Sequence, residues 1–321
     1  MPKSVGFVIL SHQNPAGVLR LIDTLNRLYD FPPIACHHDW RQTSSERPES
    51  GKNVSFVSNP VRTGWGRWSV VEATLSALQL LYSKGQPDWF YVLSGTDYPV
   101  VPGRDAVSDL EERACDAFID GFALDAALAG NIPAAQLPLL NHHRTPGNVQ
   151  IARTRYLTAT IRIPILRLSP PSYSTSAQSF PRLGAHTISL PFSSWRSPFG
   201  PSFKCYVGSQ WFTANARVAH RLLSPTEKDK KLQTYLRGRV VPDECYFQTV
   251  ILNDKQFKTT GETYRYLNWR SGGAHPEWIS ADQVPEIISS GAHFARKLEA
   301  DSASLDILDK ELGIRADQRS F

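Results

Sequence analysis

Val5-Gly6-Phe7-Val8-Ile9-Leu10, close to the start of the chain, carries no charged or strongly polar side chain. A run so short and so apolar is buried on both faces, as in an inner strand of a parallel sheet, and does not alternate as a half-exposed strand does. The next residues narrow the fold further. Asn14 and Pro15 form an N-cap followed by a proline at the first helical position. Val18, Leu21, Ile22, Leu25, Leu28 and Tyr29 then trace one helical face, and Ile34 to Asp39 reads as a second strand with its exit. Strand, helix and strand in succession predict a parallel α/β sheet with right-handed crossovers.

The remaining chain fits that frame. Asn53 to Ser58 is a short strand, followed by a loop holding two glycines and two tryptophans, V-R-T-G-W-G-R-W-S. Ser69 and Glu72 have the spacing of a capping box, and Val71, Leu75, Leu78 and Leu81 continue the helix. Trp89 to Leu93 is another doubly buried strand, running into S-G-T-D-Y-P. Ligands of open α/β sheets sit outside such strand ends, so Asp97 either faces a ligand or serves the turn itself. Phe118 to Phe122 reads as a fifth strand, and residues Ala126 to Phe203 as long loops around strands such as Thr160 to Leu168. Order resumes at Lys204 to Phe212, followed by a helix over Ala214 to Leu223 and a polar turn, S-P-T-E-K-D-K-K. Then come a strand at Tyr264 to Trp269, a short helix at Asp282 to Ser289, the segment Ala292 to Leu298, and a last amphipathic helix ended by Gly313. The simplest organisation is one α/β domain over residues 1–321, with a first half at 1–125 and an extended C-terminal half at 126–321.

Charge is unevenly placed. The net charge is +5, yet Ala126 to Thr226 contains no Asp or Glu while carrying arginines such as Arg144, Arg153, Arg155, Arg162 and Arg167. A block of that kind either attracts an anionic partner or is a solvated basic face, and it supplies no catalytic carboxylate. Four cysteines, Cys36, Cys115, Cys205 and Cys245, lie far apart without a C-x-x-C pair, the pattern of reduced thiols. With no apolar run long enough for a membrane span and no secretory signal, a cytoplasmic protein is expected, with the basic face suiting a peripheral seat on the inner membrane. Phosphate-binding G-x-x-x-x-G-K-[ST], dinucleotide-binding G-x-G-x-x-G and esterase-type G-x-S-x-G motifs are all missing. So is any D-x-D triplet of the kind that holds a divalent cation on a nucleotide diphosphate. His37, His38 and Asp39 alternate in direction on an extended segment and make a poor chelate.

One stretch stands out for chemistry: Val240 to Leu252, V-V-P-D-E-C-Y-F-Q-T-V-I-L. Pro242 biases Val241 towards extended geometry, Asp243 is a good N-cap, and Glu244 falls at the start of the helix, where the dipole favours its ionised form. A rigidly aimed, ionised carboxylate suits a general base. Acidic first turns are also ordinary helix decoration, and the stretch alone does not decide between the two.

Taken together, V-G-F-V-I-L-S-H-Q-N-P, the strand ending H-H-D, W-G-R-W-S-V-V-E-A, Y-V-L-S-G-T-D-Y-P, G-S-Q-W-F, V-P-D-E-C-Y-F-Q-T and H-F-A-R-K-L follow one another as in a known family. The chain resembles bacterial members of the core-2/I-branching β-1,6-N-acetylglucosaminyltransferase family, whose animal relatives include peptide-O-xylosyltransferases. The resemblance implies a GT-A-like fold, a mixed central sheet flanked by helices, and inverting, metal-independent transfer of a sugar from a UDP donor to a hydroxyl of a glycan. It places the general base on Glu244 and a diphosphate contact on Lys297, with Arg270 as the second cation and Arg265 in reserve. It sets His37 and Asp39 near the nucleotide.

Asp97 is then expected at a donor or acceptor hydroxyl. Trp211 either stacks on an acceptor sugar or packs in the core. GlcNAc is the leading donor sugar; a xylosyl or other UDP-sugar donor and a non-catalytic glycan- or nucleotide-binding protein are the alternatives. The cationic block suggests an anionic or lipid-linked acceptor. No cofactor and no nucleic-acid partner are expected.

Overall fold

The computed structural model describes residues 3–43, 51–130, 146–167, 182–194, 196–269 and 276–314. In the first half run β1 (Val5–Ser11), α1 (Pro15–Leu28), β2 (Ile34–His38), β3 (Val54–Phe56), α2 (Ser69–Lys84), β4 (Trp89–Ser94), β5 (Asp97–Pro99) and α3 (Gly103–Glu112). Next come β6 (Ala117–Phe118), β7 (Phe122–Ala123), α4 (Leu124–Leu128), α5 (Pro146–Tyr156), β8 (Thr158–Arg167), β9 (Arg182–Ser193), β10 (Tyr206–Val207) and β11 (Thr213–Asn215). The remainder holds α6 (Ala216–Leu223), α7 (Glu227–Leu236), α8 (Asp243–Leu252), β12 (Thr259–Thr260), β13 (Arg265–Leu267), α9 (Val284–Ile288), β14 (Phe294–Arg296) and α10 (Ala303–Glu311).

Seven strands form the central sheet in the order β12, β6, β11, β4, β1, β2, β3. The block β4-β1-β2-β3 is parallel, β11 runs antiparallel to both its neighbours, and the sheet is therefore mixed. The apolar run of β1 sits between β2 and β4 with six residues in a row buried. Its alternation sorts the two cores: Val8 and Leu10 face a cluster with Trp68, Ala77, Phe90 and Phe247, while Phe7 and Ile9 face Leu25, Tyr91, Leu93 and Phe294. Helix α2 packs on β1 and β2. A smaller sheet, β13-β14-β5, lies beyond the end of β4, and its antiparallel pairing sets Asp97 opposite Arg296.

Several local expectations change. Asn14 caps α1 as read, its side chain accepting from Gly17 N at 3.1 Å. Ser69 and Glu72 form no capping box: Trp68 is the N-cap, the Ser69 hydroxyl accepts from Gly64 N at 3.2 Å, and Glu72 pairs with Arg237 at 2.6 Å. The segment read as a polar turn is α7, with a true capping box in which Asp229 Oδ2 accepts from Thr226 N at 2.6 Å and Thr226 Oγ1 from Asp229 N at 3.3 Å. Phe118 to Phe122 splits into β6 and β7, which belong to different sheets. Helix α3, unread in the sequence, starts at Gly103, where an added Cβ would lie 2.1 Å from the Leu28 carbonyl oxygen. Between Ala126 and Phe203 the described residues form helix α5 and the antiparallel hairpin β8-β9 as well as loops.

Helix α10 is tied to α1 by buried charge. Arg20 donates to Asp309 at 2.6 Å, to Asp306 at 2.8 Å and to the Ala300 carbonyl at 2.7 Å, and the Tyr98 hydroxyl donates to Asp309 at 2.5 Å. Arg20→Met would leave Asp309 buried without its cation, a change worth roughly 3 kcal/mol of unfolding free energy. Urea denaturation of the two proteins checks this, and equal midpoints would contradict it.

Candidate active site

A cavity of about 570 Å³ opens at the carboxyl ends of β1 and β4, where the polypeptide leaves parallel strands and backbone groups become free for ligands. Its walls are the β1 exit (Ser11 to Asn14), the β4–β5 turn (Ser94 to Tyr98), the β14 exit (Arg296 to Ala300), the Ser209–Trp211 turn and the start of α8. Trp65 and Trp278 stand at its rim, 66% and 54% exposed.

The start of α8 differs from its sequence reading. Val241 is not extended but adopts φ 55°, a left-handed conformation that disfavours a β-branched residue by about 1–2 kcal/mol. Tertiary hydrogen bonds override the local preference: Val241 N donates to the Gly66 carbonyl at 2.9 Å and Val241 O accepts from the Tyr156 hydroxyl at 2.5 Å. Pro242 occupies the N-cap position, and Asp243 is the first helical residue without a capping hydrogen bond. Asp243 is buried, its Oδ1 lacks a partner among the described residues, and burial pushes its carboxyl up to about 6.

Glu244 lines the cavity with 25% of its side chain exposed, and its Oε2 lies 3.4 Å from Arg155 Nη1. Its own carbonyl accepts from Gly208 N at 2.9 Å. The exposed part faces the concave site, so surrounding protein governs its ionisation: burial pushes the carboxyl up to about 8, Asp243 and Asp120 add to this, and Arg155 opposes it. This reverses the sequence expectation of a carboxylate kept ionised by the helix dipole. Desolvation and a neighbouring acid outweigh the dipole.

Asp97 has no exposed side-chain surface. Its Oδ1 accepts from Ser94 Oγ at 2.6 Å and from Arg296 Nη1 at 3.0 Å; Arg296 Nη1 also donates to Ser94 Oγ. The Arg296 guanidinium lies 4.3 Å from the centroid of the Trp211 ring, so one face of Trp211 is covered by a cation while the rest packs beside the core. Lys297 Nζ lies 5.9 Å from the Trp278 ring centroid. Burial, then the neighbouring Arg296, lowers the Lys297 pKa.

The cavity thus brings together Glu244, Lys297, Asp97 and Trp211. It does not bring in His37 or Asp39. Strand β2 lies between two strands and is buried throughout, and the polar atoms turn inward: His37 Nε2 accepts from Val61 N at 3.0 Å, while Asp39 takes Arg41, Gln42 and Thr63 N at 2.9, 2.7 and 2.8 Å. Arg265, half-buried, lies over Tyr91 and Phe294 and donates to the Val92 carbonyl at 3.2 Å, and it is not among the residues lining the cavity. Arg270 lies outside the described residues. The sequence reading missed Arg155, Arg296, Trp65 and Trp278. Only Arg296 left a usable signal there, two residues after buried Phe294 on a strand and hence on the same face.

Among the described residues, no group of three or more His, Cys, Asp or Glu side chains is placed to hold a metal, and no helix is long and apolar enough to cross a membrane. The four cysteines are unpaired.

A mixed α/β sheet flanked by helices, with Glu244, Arg296 and Lys297 among the residues lining a cleft at the strand ends, is the architecture of a GT-A-like fold. The chain belongs to the Core-2/I-Branching enzyme family, whose model matches residues 33–123 and 180–291. Its relatives include the Arabidopsis thaliana beta-glucuronosyltransferases GlcAT14B, 24% identical over 77% of this chain and 49% of the relative, and GlcAT14A, 22% identical over 81% and 51%. GlcAT14C of the same plant is 22% identical over 76% of this chain and 54% of its own length. The chain therefore spans about half the length of the curated relatives it matches.

A carboxyl whose folded pKa is raised keeps its proton in the folded state while the unfolded chain loses it, so its contribution to stability falls as pH rises from about 4.5 to about 8. Glu244→Gln cannot ionise and should escape that loss. Its melting temperature should gain on the wild type as pH goes from 5 to 8, and a constant difference across that range would count against a raised Glu244.

Proposed function

We propose that the chain is an inverting, metal-independent glycosyltransferase that moves a sugar from a UDP-sugar to a hydroxyl of a glycan acceptor, with Glu244 as general base. The observation that carries this reading is the placement of Glu244: a carboxyl at a fixed helix start, open to the cavity, of raised proton affinity and facing an arginine. In an inverting displacement the acceptor oxygen attacks the anomeric carbon from the face opposite the departing UDP. Glu244, once ionised, takes the hydroxyl proton as the bond forms. Such help is worth ~10²–10⁴-fold in rate, and a base with a pKa near the working pH is both available and strong.

The leaving diphosphate gains negative charge, and a fixed cation stabilises it more in the transition state than before. Lys297 and Arg296, side by side at the β14 exit, are the cations suited to that task, and with no D-x-D triplet in the sequence the reading needs them. Lys297 is the freer of the two, since Arg296 is already engaged by Asp97. Asp97 fixes Arg296, and its Oδ2 has no partner among the described residues. Trp211, stiffened by Arg296, forms wall, and the exposed faces of Trp65 and Trp278 suit contact with a sugar chain. The cationic block at Ala126 to Thr226 supports an anionic or lipid-linked acceptor and a peripheral seat at a membrane surface.

The resemblance suggests GlcNAc as the donor sugar. The plant relatives favour a second reading, transfer of glucuronosyl, because their names carry that activity and they match over three quarters of the chain. UDP release from a panel of UDP-GlcNAc, UDP-glucuronate and UDP-xylose in the presence of EDTA, with and without acceptor glycans, separates these. Binding without turnover on the whole panel would instead favour a non-catalytic glycan- or nucleotide-binding protein.

Glu244→Gln should reduce transfer by at least ~10²-fold while UDP affinity stays near wild type. Lys297→Ala should do the converse first, weakening UDP binding measured by calorimetry. Equal loss of both properties in Glu244→Gln would mark a structural residue.

A further inference from the structure

We propose that Arg155 and Tyr156, the last two residues of α5, are the positioning residues of the base: Arg155 holds the Glu244 carboxylate and Tyr156 holds the backbone that aims it. This rests on the reading of Glu244 as general base. Arg155 lies 89 residues before Glu244, in the block that contains no carboxylate of its own.

Two adjacent side chains thus reach one helix start with different tasks. Tyr156 is fully buried, and its hydroxyl donates to the Val241 carbonyl at 2.5 Å. On the other side of the same residue, the Val241 amide is held by Gly66. A β-branched residue at φ 55° persists only where the surroundings hold it, and here its N–H and its C=O are both held. Pro242 then fixes the direction of entry, and Glu244 emerges in the first turn of α8 towards the cavity. Without the tyrosine hydroxyl, Val241 has one tether fewer against the strain, and α8 can re-aim its first turn.

The α5 end is itself fixed. The Tyr235 hydroxyl donates to the Tyr156 carbonyl at 2.6 Å, and buried Arg239 donates to the Thr158 carbonyl at 2.7 Å and to Tyr235 Oη at 2.5 Å. Arg155 and Tyr156 are therefore presented from a braced chain. The electrostatic task of Arg155 follows from what faces Glu244. Asp243 and Asp120 both raise its proton affinity, and Arg155 is the opposing charge among the described residues. It keeps an ionised fraction of Glu244 accessible near neutral pH and restricts the carboxylate to one side of the cavity.

The test titrates Glu244 in the full chain without substrate, by ¹³C NMR of protein labelled at the glutamate carboxyl carbon, assigned with Glu244→Gln. Arg155→Met should move the midpoint to higher pH by about one unit, and Arg155→Lys should restore most of the shift. In the transfer assay, Arg155→Met should lower kcat/KM about tenfold below the midpoint, with the deficit closing at higher pH. Tyr156→Phe should lower kcat by roughly 10- to 100-fold with UDP affinity unchanged. An unmoved titration in Arg155→Met overturns the electrostatic role. Wild-type kcat in Tyr156→Phe, or a loss of kcat accompanied by equal losses of UDP affinity and melting temperature, overturns the aiming role. If Glu244→Gln still transfers sugar, the base assignment itself fails, and the NMR titration still judges Arg155 independently.

Discussion

The site depends on the two hydrogen bonds that hold Val241. One comes from the loop before α2 through Gly66, the other from the end of α5 through Tyr156. They join three distant parts of the chain at one residue and keep it in a conformation its side chain disfavours. Natural chains abandon such strain unless something fixes it. The same loop carries Trp65 to the cavity rim, and the same helix end carries Arg155 to Glu244. The junction therefore sets the relation between a candidate acceptor wall, the candidate base and its counter-charge together.

Around that junction the cavity brings acids and cations together. At the α8 side, burial raises the cost of ionising both Asp243 and Glu244, Asp243 adds to it at Glu244, and Arg155 opposes it at both. At the β14 side, Asp97 is ion-paired with Arg296, and Lys297 continues the cationic edge. In the displacement proposed above, the proton leaves on one side of the anomeric carbon and negative charge grows on the other, so a cleft lined by both a carboxyl and cations matches the demand. The family model gives the family; the chemistry, the donor and the acceptor are matters for the substrate panel.

Much of the fold was legible because burial on both faces writes itself as an unbroken apolar run, as in β1 and β4, and because Asn14 caps α1 with Pro15 at its first position. The capping boxes were less readable. Ser69 and Glu72 have the spacing but bond to Gly64 and Arg237, whereas Thr226 and Asp229 form a box inside a segment too charged to look helical. Motif likeness located Glu244, Lys297, Asp97 and Trp211, all of which line the cavity. It also pointed at His37 and Asp39, whose polar atoms serve the chain segment after β3. Local preference failed at Val241 because its conformation is decided by Gly66 and Tyr156, which are far away in sequence. For the same reason nothing in the sequence marked Arg155: an ion pair across such a separation is a property of the folded chain.

The central claim is that Glu244, with its raised proton affinity, acts as the general base. The pH dependence of kcat/KM tests it most directly, because that quantity reports the ionisation of groups in the free enzyme. With a saturable acceptor and the active donor, kcat/KM should rise tenfold per pH unit from the acid side and level off at about pH 8. A profile already flat between pH 5 and 7, or one that falls as pH rises towards 8, would contradict it.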